Sequence, residues 1–506
     1  MLLRRVLLIF PILFLAVAFI GLLARPSDFH FPYPFWQEGL KTLKRFSRVW
    51  IFLAVLFAFR KSAFLQTLLQ KLSGLSRAKF LLIVLSLSLF FRIGACLLTD
   101  YQPLGGESRW GGDSQWFMDT AENILKGKGL ALDGVGPTAF VMPGYSYFLA
   151  FLYFFVGKNV LAIQIVQSFM DVTTIFFIFL LAETVFGRAV AYLTALYLSF
   201  SVSHILVSPL VLNEHLFVLA VFSALYFLAS DLKASSWIKL TAAGLFLGLG
   251  NFSRGVLMVL PPFLFFLYLF SQMGWRRSLV KSAYVTFISV AVLLPWAYRN
   301  YKVMGYPILT CASSGTGFYT MNNAIADPYV TQLVQIHEVH PEYINLHPNE
   351  EVARYLGASR YAREWVLSDP WRFMRLGAGK LISLFGVRSY WTLWDNAMKY
   401  NESSKKSIFL DKAFKKPMLY VYMFHFSLFF LGTFLLLFRY GWTTFEPRKM
   451  LILLLIYVLI GVHFLFCGEK RYRYPIDPFI YMTSAFALVY LIKRDLIVDG
   501  LPQTID

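Results

Sequence analysis

Residues 448–493 read RKMLILLLIYVLIGVHFLFCGEKRYRYPIDPFIYMTSAFALVYLIK, which is two long apolar runs joined by a short basic loop. A helix needs about 20 apolar residues to cross a bilayer, and the runs 448–467 and 474–493 both have that length. The stretch therefore predicts a membrane-spanning helical hairpin. The loop that joins the two runs carries three cations: Lys470, Arg471 and Arg473.

The composition extends this prediction to the whole chain. Of its 506 residues, 58% are hydrophobic and only 15% are charged, and the mean hydropathy is +0.59. A soluble domain cannot hide so much apolar surface, so the chain is predicted to be an all-α polytopic membrane protein. The net charge of +19 then indicates anionic lipid and phosphate-bearing ligands, and not nucleic acid.

Apolar runs recur along the chain and predict a core of ten spanning helices. Lys and Arg fall at alternate ends of these runs, which fits the positive-inside pattern of short cytoplasmic loops. The predicted spans are 79–98, 160–186, 189–208, 212–231, 237–252, 255–272, 279–298, 416–438, 448–467 and 474–493.

The N-terminal residues 1–78 are predicted to form a membrane or interfacial hairpin. Residues 5–24 are apolar enough for a further spanning helix. Residues 46–60 either cross the membrane again or lie in the interface as an amphipathic helix, because this apolar run is short and flanked by cations. The total is therefore about 10–12 transmembrane helices, with both termini in the cytoplasm.

This topology divides the rest of the chain into three parts. Residues 79–298 form a transmembrane core that includes a first outer segment, 99–159. Residues 299–415 form a second outer segment, which is too long for a simple linker and is predicted to be a small helical subdomain. Residues 416–506 contain the last transmembrane helices, the RYRYP loop and a cytoplasmic tail.

The first outer segment carries a candidate catalytic acid, Asp113. Its apolar side chains recur with helical spacing after Asp113, and Gly127 and Gly129 are expected to end the helix, which would lie along the membrane surface. The apolar run 143–156 is too short to span a bilayer, so it is predicted to be a juxtamembrane or re-entrant helix. Asp113 either caps the surface helix or serves as a base, and the residues alone leave both open.

The second outer segment contains one polar stretch and one amphipathic stretch. Residues 311–329, CASSGTGFYTMNNAIADPY, are rich in Gly, Ser and Asn and are predicted to be a loop that approaches a polar ligand. Residues 349–367 are predicted to be a helix that is capped by Asn349 and ended by Asp369 and Pro370.

Cations on the predicted outer side form the second group of candidates. Any one of them can be explained by snorkelling to lipid phosphates. Together they favour a specific anionic ligand, and a lipid phosphate or pyrophosphate matches the planar fork of arginine. The candidates are Arg254, Arg299, Lys302, Lys470, Arg471 and Arg473.

Several motifs in this order resemble the GT-C superfamily of membrane glycosyltransferases, in particular glycosyltransferase family 39. That family includes protein O-mannosyltransferases and the lipid A aminoarabinose transferase. The resemblance extends from about residue 79 to 495 and leaves residues 1–78 outside. It rests on GGDSQWFMDTAENILKGKG, MPGYSYFLAFLYFFVG, VFGRAVAYLTALYLSFS, LGLGNFSRG, LPWAYRNYKVMGYP and GEKRYRYPIDPFI.

The resemblance implies an inverting glycosyltransferase in the bacterial inner membrane, with its site facing the periplasm or exterior. The donor would be a sugar linked to polyprenyl phosphate, and the acceptor a hydroxyl of a lipid, a glycan or a protein. Asp113 matches the position of the family's catalytic base, and the outer cations would hold the donor phosphate. Possible contacts to the sugar or acceptor are Trp116, Glu214, Tyr319, Asn322, Tyr472 and Tyr474.

One departure from the family concerns metal binding. Many relatives carry two adjacent acids where this chain has Asp113 and Ser114. A second carboxylate could come from Asp119, Glu122 or Glu214. The missing pair still weakens the case for a divalent ion, which favours converging carboxylates, so no metal or other cofactor is expected.

Two other classes of membrane protein also use outer cations. One is a flippase or transporter of lipid-linked sugars, although the chain shows no inverted repeat of the kind that transporters often carry. The other is an O-antigen polymerase or ligase.

Overall fold

The computed structural model describes residues 47–98, 112–327, 336–385 and 405–493, except 56, 272, 344, 444 and 469, and also residue 497. Three predictions fall outside these residues: the helix at 5–24, the beginning of the first outer segment at 99–111, and the tail from 494 onward except residue 497.

The described part of the chain consists of helices joined by turns and loops, with one short two-stranded ribbon. The ribbon pairs β1 (Ala131–Leu132) with β2 (Gly136–Pro137) in antiparallel register. The helices before residue 272 are α1 (Ala63–Gly74), α2 (Arg77–Leu98), α3 (Gly112–Leu125), α4 (Gly144–Val156), α5 (Val160–Phe186), α6 (Arg188–Phe200), α7 (Glu214–Lys233), α8 (Trp237–Ser253) and α9 (Leu260–Phe270).

The remaining helices include the longest ones of the described chain. They are α10 (Trp275–Met304), α11 (Ser313–Thr320), α12 (Glu350–Ser368), α13 (Pro370–Phe385), α14 (Lys405–Leu435), α15 (Pro447–Leu465) and α16 (Asp477–Ile492). Single helical turns occur at Val202–Ile205, Ile336–Val339, Pro341–Tyr343 and Lys470–Arg473.

The predicted all-α membrane architecture is confirmed. Six described helices are long and apolar enough to cross a membrane: Arg77–Leu98, Val160–Phe186, Glu214–Lys233, Trp275–Met304, Pro417–Tyr440 and Pro447–Leu465. Three shorter helices are also apolar: Gly144–Val156, Gly255–Phe270 and Asp477–Ile492. Each of the ten predicted core spans thus contains a helix, but several of these helices are shorter than a full crossing.

Two predictions of local structure are wrong. The helix predicted at 189–208 ends at Phe200. Residues 206–213 form a buried non-helical segment, and backbone carbonyls of this segment accept hydrogen bonds from side chains of α5. The stretch 311–329, predicted to be a loop, contains the helix α11. In α11, Gly315 packs against Tyr355 of α12 so closely that a Cβ there would meet its side chain at 2.8 Å. This packing overrides the loop-like composition.

Small residues bring the core helices together. Within α8, a Cβ on Gly244 would lie 2.7 Å from the Cβ of Ile288, and one on Gly248 would lie 2.6 Å from a methyl of Val292. Both neighbours belong to α10, so the two glycines let α8 and α10 approach closely, as is common between helices in membranes. The end of α8, which carries Arg254, is thereby fixed to the bundle.

Candidate active site

Four separate pieces of chain supply the candidate site. They are the first turn of α3 with Asp113, the start of α7 with Glu214, the residue after α8, Arg254, and the turn Lys470–Arg473. The predicted helix after Asp113 and its end are confirmed, because α3 ends at Leu125 and both Gly127 and Gly129 have positive φ angles, 75° and 70°. Its position along the membrane surface stays a prediction.

A buried polar network holds the segment 206–213 that leads into α7. Gln164 donates to the carbonyl of Pro209 at 2.8 Å, and Gln167 donates to that of Leu210 at 2.9 Å. Both glutamines belong to α5. Non-helical backbone at membrane depth requires such internal partners, because lipid offers none. The glutamines therefore allow α7 to begin inside the protein, with Glu214 in its first turn.

Contacts of Asp171 also fix the start of α7. Asp171 of α5 lies 2.7 Å from His215 Nδ1, accepts a hydrogen bond from Ser208 at 2.8 Å, and pairs with Arg92 at 3.7 Å. All of these groups are buried. Because His215 follows Glu214 in sequence, this network orients the residue next to the candidate site.

Arg254 leaves the helical path immediately after α8. Its φ of −151° and ψ of 116° are extended, and they direct the chain into the 3₁₀ turn Gly255–Val259. The side chain of Asn213 donates to the carbonyl of Ser253 at 3.2 Å, and the Ser253 hydroxyl donates to the carbonyl of Asn213 at 3.2 Å. These bonds join the end of α8 to the start of α7 and bring Arg254 beside Glu214.

The basic loop is positioned by its first residue, Gly468. A Cβ at Gly468 would overlap the backbone of Lys380 in α13, including its carbonyl oxygen. Only glycine fits this approach without displacement of one backbone. The turn Lys470–Arg473 begins two residues later, so the contact of Gly468 with α13 fixes where this turn starts.

Replacement of Gly468 by Ala should displace this turn and lower the activity of the site. A shift of about 1 Å in a reactive group can cost roughly 100-fold in rate, so we expect a loss of about 10- to 100-fold. The measurement is the rate of sugar transfer, the activity that the sequence resemblance implies, by purified Gly468→Ala protein. Gly461→Ala is the matched control, because a Cβ at Gly461 meets nothing within 4 Å. Equal activity of both variants would show that the approach of Gly468 to α13 does not position the site.

The four pieces converge on one guanidinium, that of Arg471. Its Nε donates to Glu214 Oε1 at 2.5 Å, and its Nη1 contacts Asp113 Oδ2. Arg254 Nη1 donates to the same Glu214 Oε1 at 2.9 Å. Glu214 is fully buried, whereas the side chains of Arg254, Arg471 and Asp113 are 13%, 21% and 53% exposed. The site is thus a buried carboxylate under two arginines, with a second carboxylate at the rim.

The cluster contains two guanidinium groups and two carboxylates, so its positive and negative charges are equal in number. Burial alone would lower the pKa of Arg471, but the carboxylates of Glu214 and Asp113 outweigh burial and raise this pKa well above its ordinary value. Arg471 therefore stays cationic. Arg254 also lies over the ring of Tyr472, with its Cζ 4.8 Å from the ring centroid, which is a favourable cation–π distance.

Two of the other predicted phosphate ligands, Arg473 and Arg299, contact protein groups outside this cluster. Arg473 is buried, pairs with Asp477 at 2.9 Å, and lies over the ring of Tyr422 at 4.2 Å. Arg299 donates to the carbonyls of Thr138 and Leu130 at 2.8 and 2.7 Å. The structure therefore gives Arg473 and Arg299 protein partners.

Lys302 and Lys470 complete the set of predicted cations. Lys302 is exposed, with its Nζ 5.6 Å from the ring centroid of Tyr298. Lys470 begins the 3₁₀ turn, and its side chain lies outside the described part of the structure.

The residues predicted to contact sugar or acceptor divide into two groups. Trp116 stacks on Phe140 at 5.0 Å, Tyr472 stacks on His463 at 5.6 Å, and Tyr474 lies 4.8 Å from the ring of His204. These three are partly exposed, and Tyr472 and Tyr474 flank the arginines.

Glu214, Tyr319 and Asn322 are buried inside the protein. Tyr319 packs against Tyr361, with ring centroids 5.3 Å apart. Asn322 donates to the carbonyl of Leu465 at 2.8 Å and accepts from Lys380 at 2.8 Å. The side chains of Glu214 and Asn322 thus have protein partners, and a contact of any of these three residues with sugar or acceptor stays a prediction.

Lys380 is a buried cation that the sequence analysis missed. It lies in the apolar run LGAGKLISLF of α13, and an isolated lysine in such a run was the available signal. Its Nζ donates to Asn322 and also to the carbonyl of Leu465 at 3.2 Å. Burial lowers the pKa of Lys380 to about 7.

This lowered pKa predicts a pH dependence of stability. Between about pH 7 and the ordinary lysine value of 10.5, the unfolded chain binds one more proton at this position than the folded chain. The free energy of unfolding should therefore rise with pH across that window and fall as pH drops toward 7. The measurement compares thermal unfolding of the detergent-solubilised protein at pH 7 and pH 9 with that of Lys380→Met. An identical pH slope in both proteins would contradict the assignment.

Among the described side chains, no three His, Cys, Asp or Glu residues converge. The absence of a metal stays a prediction. The cluster itself offers carboxylates and guanidinium groups. A phosphate could bind between Arg254 and Arg471, and Asp113 could accept a proton next to it.

One protein family matches part of the chain. The sequence model of the dolichyl-phosphate-mannose-protein mannosyltransferase family, a GT-C family, matches residues 138–298. The resemblance to GT-C glycosyltransferases is thereby confirmed over this segment. The segment includes Glu214 and Arg254, whereas Asp113 and Arg471 lie outside it. A comparison with curated proteins gives no match.

Solved structures with a similar helical arrangement include two of the Archaeoglobus fulgidus oligosaccharyltransferase. The structure in complex with Zn and sulfate has 18% identity and a TM-score of 0.47, and the apo form has 14% identity and a TM-score of 0.48. Each alignment covers 81% of this chain. The chain spans about half the length of these proteins, 49% and 50% respectively.

Proposed function

We propose that this chain, whose residues 138–298 match a GT-C glycosyltransferase family, transfers a sugar from a polyprenyl-phosphate donor to an acceptor hydroxyl. One observation carries the proposal. Asp113, at the rim of the cluster, contacts Arg471, which Glu214 holds beside Arg254. A proton acceptor therefore lies next to two guanidinium groups that suit a phosphate.

The reaction would proceed by direct displacement at the sugar. The acceptor oxygen forms a bond to the anomeric carbon, while the bond from that carbon to the phosphate oxygen breaks. The acceptor proton moves to Asp113 and is later released to water. The polyprenyl phosphate leaves with the electron pair, and attack from the opposite side inverts the anomeric configuration.

Arg254 and Arg471 would stabilise the charge that develops on the leaving phosphate. Preorganised donors are effective here because their orientation does not have to change during the reaction. Glu214 supplies that orientation, since its Oε1 accepts from both arginines. The proposed roles are thus base for Asp113 and phosphate ligands for Arg254 and Arg471.

The site would face the outer side of the bacterial inner membrane. The support is the distribution of Lys and Arg. They are concentrated in short loops at one end of the helices, which are expected to lie in the cytoplasm, and the site would lie at the other end. Acceptors on that side include lipids, glycans and proteins.

The test is to find which donor the purified protein consumes. Radiolabelled sugars linked to polyprenyl monophosphate, polyprenyl pyrophosphate or a nucleotide are incubated with the protein and a membrane extract. We expect consumption of the monophosphate-linked donor and label in a new acceptor. Movement of intact donor across vesicles without sugar release would instead identify a flippase, and consumption of pyrophosphate donors alone would identify a polymerase or ligase.

A further inference from the structure

The guanidinium of Arg471 serves two carboxylates at once. It has five N–H groups on three nitrogen atoms. Nε and Nη2 face Glu214 at 2.5 and 3.4 Å, and Nη1 contacts Asp113. Every nitrogen of Arg471 therefore faces a carboxylate oxygen. A phosphate that takes the Nη1 N–H now facing Asp113 has to compete with Asp113 for it.

The two carboxylates differ in how firmly they hold Arg471. Glu214 is fully buried and also accepts from Arg254 at 2.9 Å, so its position is fixed by two ionic contacts. Asp113 is about half exposed and lies in the first turn of a surface helix. Water screens exposed ion pairs and makes them weak. A phosphate would therefore displace Asp113, and not Glu214, from Arg471.

We propose that Arg471 couples donor binding to release of the base. This inference rests on the proposed function, because it takes the phosphate of the donor as the competing anion. While Asp113 Oδ2 accepts from Nη1, the carboxylate is held at Arg471 and is not free to turn toward an acceptor hydroxyl. The donor phosphate takes over Nη1 and frees the carboxylate at the position where the acceptor hydroxyl will react. The donor phosphate therefore has to bind before Asp113 is free to take the proton of the acceptor hydroxyl.

Binding of polyprenyl monophosphate tests this competition without turnover. It is titrated into the full-length protein in detergent, and its dissociation constant is measured by calorimetry. Replacement of Asp113 by Asn removes the competitor, so Asp113→Asn should bind the probe about two- to fivefold more tightly than wild type, the range expected for an exposed ion pair. In an Arg471→Gln background, the same Asp113→Asn change should have no effect, because the shared guanidinium is gone.

A second carboxylate on the same helix separates competition from a general charge effect. Asp119 lies in α3 and accepts a hydrogen bond from Gln115 at 2.6 Å. Asp119→Asn changes the charge of α3 by the same amount, and we expect it to leave the affinity unchanged.

Three outcomes would overturn the inference. Unchanged or weaker binding by Asp113→Asn shows that Asp113 and phosphate do not compete. An equal gain in the Arg471→Gln background, or with Asp119→Asn, shows an unspecific electrostatic effect. Failure of the wild-type protein to bind polyprenyl monophosphate overturns the proposed function together with this coupling, whereas binding without the Asp113→Asn gain overturns the coupling alone.

Discussion

Replacement of Asp113 by Asn should lower the rate of sugar transfer by about 10²- to 10⁴-fold, because general-base assistance typically contributes that much. Asn has nearly the shape of Asp, but its amide cannot accept the proton of the acceptor hydroxyl. Donor binding should persist, since Arg254 and Arg471 remain in place. The measurement is the single-turnover rate of transfer with donor saturating, so that the chemical step is isolated from binding.

Asp119→Asn is the matched control for this experiment. It makes the same chemical change six residues further along α3, at a carboxylate that pairs with Gln115 and not with Arg471. We expect near wild-type rates from it. Full transfer by Asp113→Asn would remove Asp113 as the base and would favour the interpretation that it caps α3.

Replacement of Glu214 by Gln should destabilise the protein and abolish productive donor binding. The change leaves Arg254 and Arg471 without their shared carboxylate at a fully buried position. Removal of one partner from a buried ion pair typically costs about 3–5 kcal/mol, because the remaining charge is left uncompensated. The measurement is the free energy of unfolding in detergent, taken together with the rate of transfer.

Two comparisons make the Glu214 result specific. Glu122→Gln removes the charge that pairs with Lys126 and Lys158 at the protein surface, and should cost far less stability than Glu214→Gln, because water screens such pairs. The double variant Glu214→Gln, Arg471→Gln should cost less than the sum of the two single changes, because each single change already breaks the pair. Additive losses would mean that Glu214 and Arg471 do not interact in the folded protein.

Local sequence patterns predicted most of the helices. Gly127 and Gly129 ended α3 as expected, because both adopt positive φ angles that side chains disfavour. Asn349 caps α12 by accepting a hydrogen bond from the backbone of Val352. Such signals act within a few residues, so they can be read from the sequence alone.

Contacts between distant residues were less predictable. Glu214 and Arg471 are 257 residues apart, and no local pattern pairs them. The charge distribution identified Arg254, Arg299 and Arg471 as unusual, but it could not separate the two that join Glu214 from Arg299, which holds backbone carbonyls. The end of α6 at Phe200 was missed because the glutamines that stabilise the next segment lie on α5.

A structure of the protein with bound polyprenyl monophosphate is the most direct test of the proposed phosphate site. We expect the phosphate between Arg254 and Arg471, within hydrogen-bond distance of both guanidinium groups, with Asp113 facing the bound group. A phosphate that instead occupies the region of Arg299 and Lys302, without contact to Arg471, would contradict it.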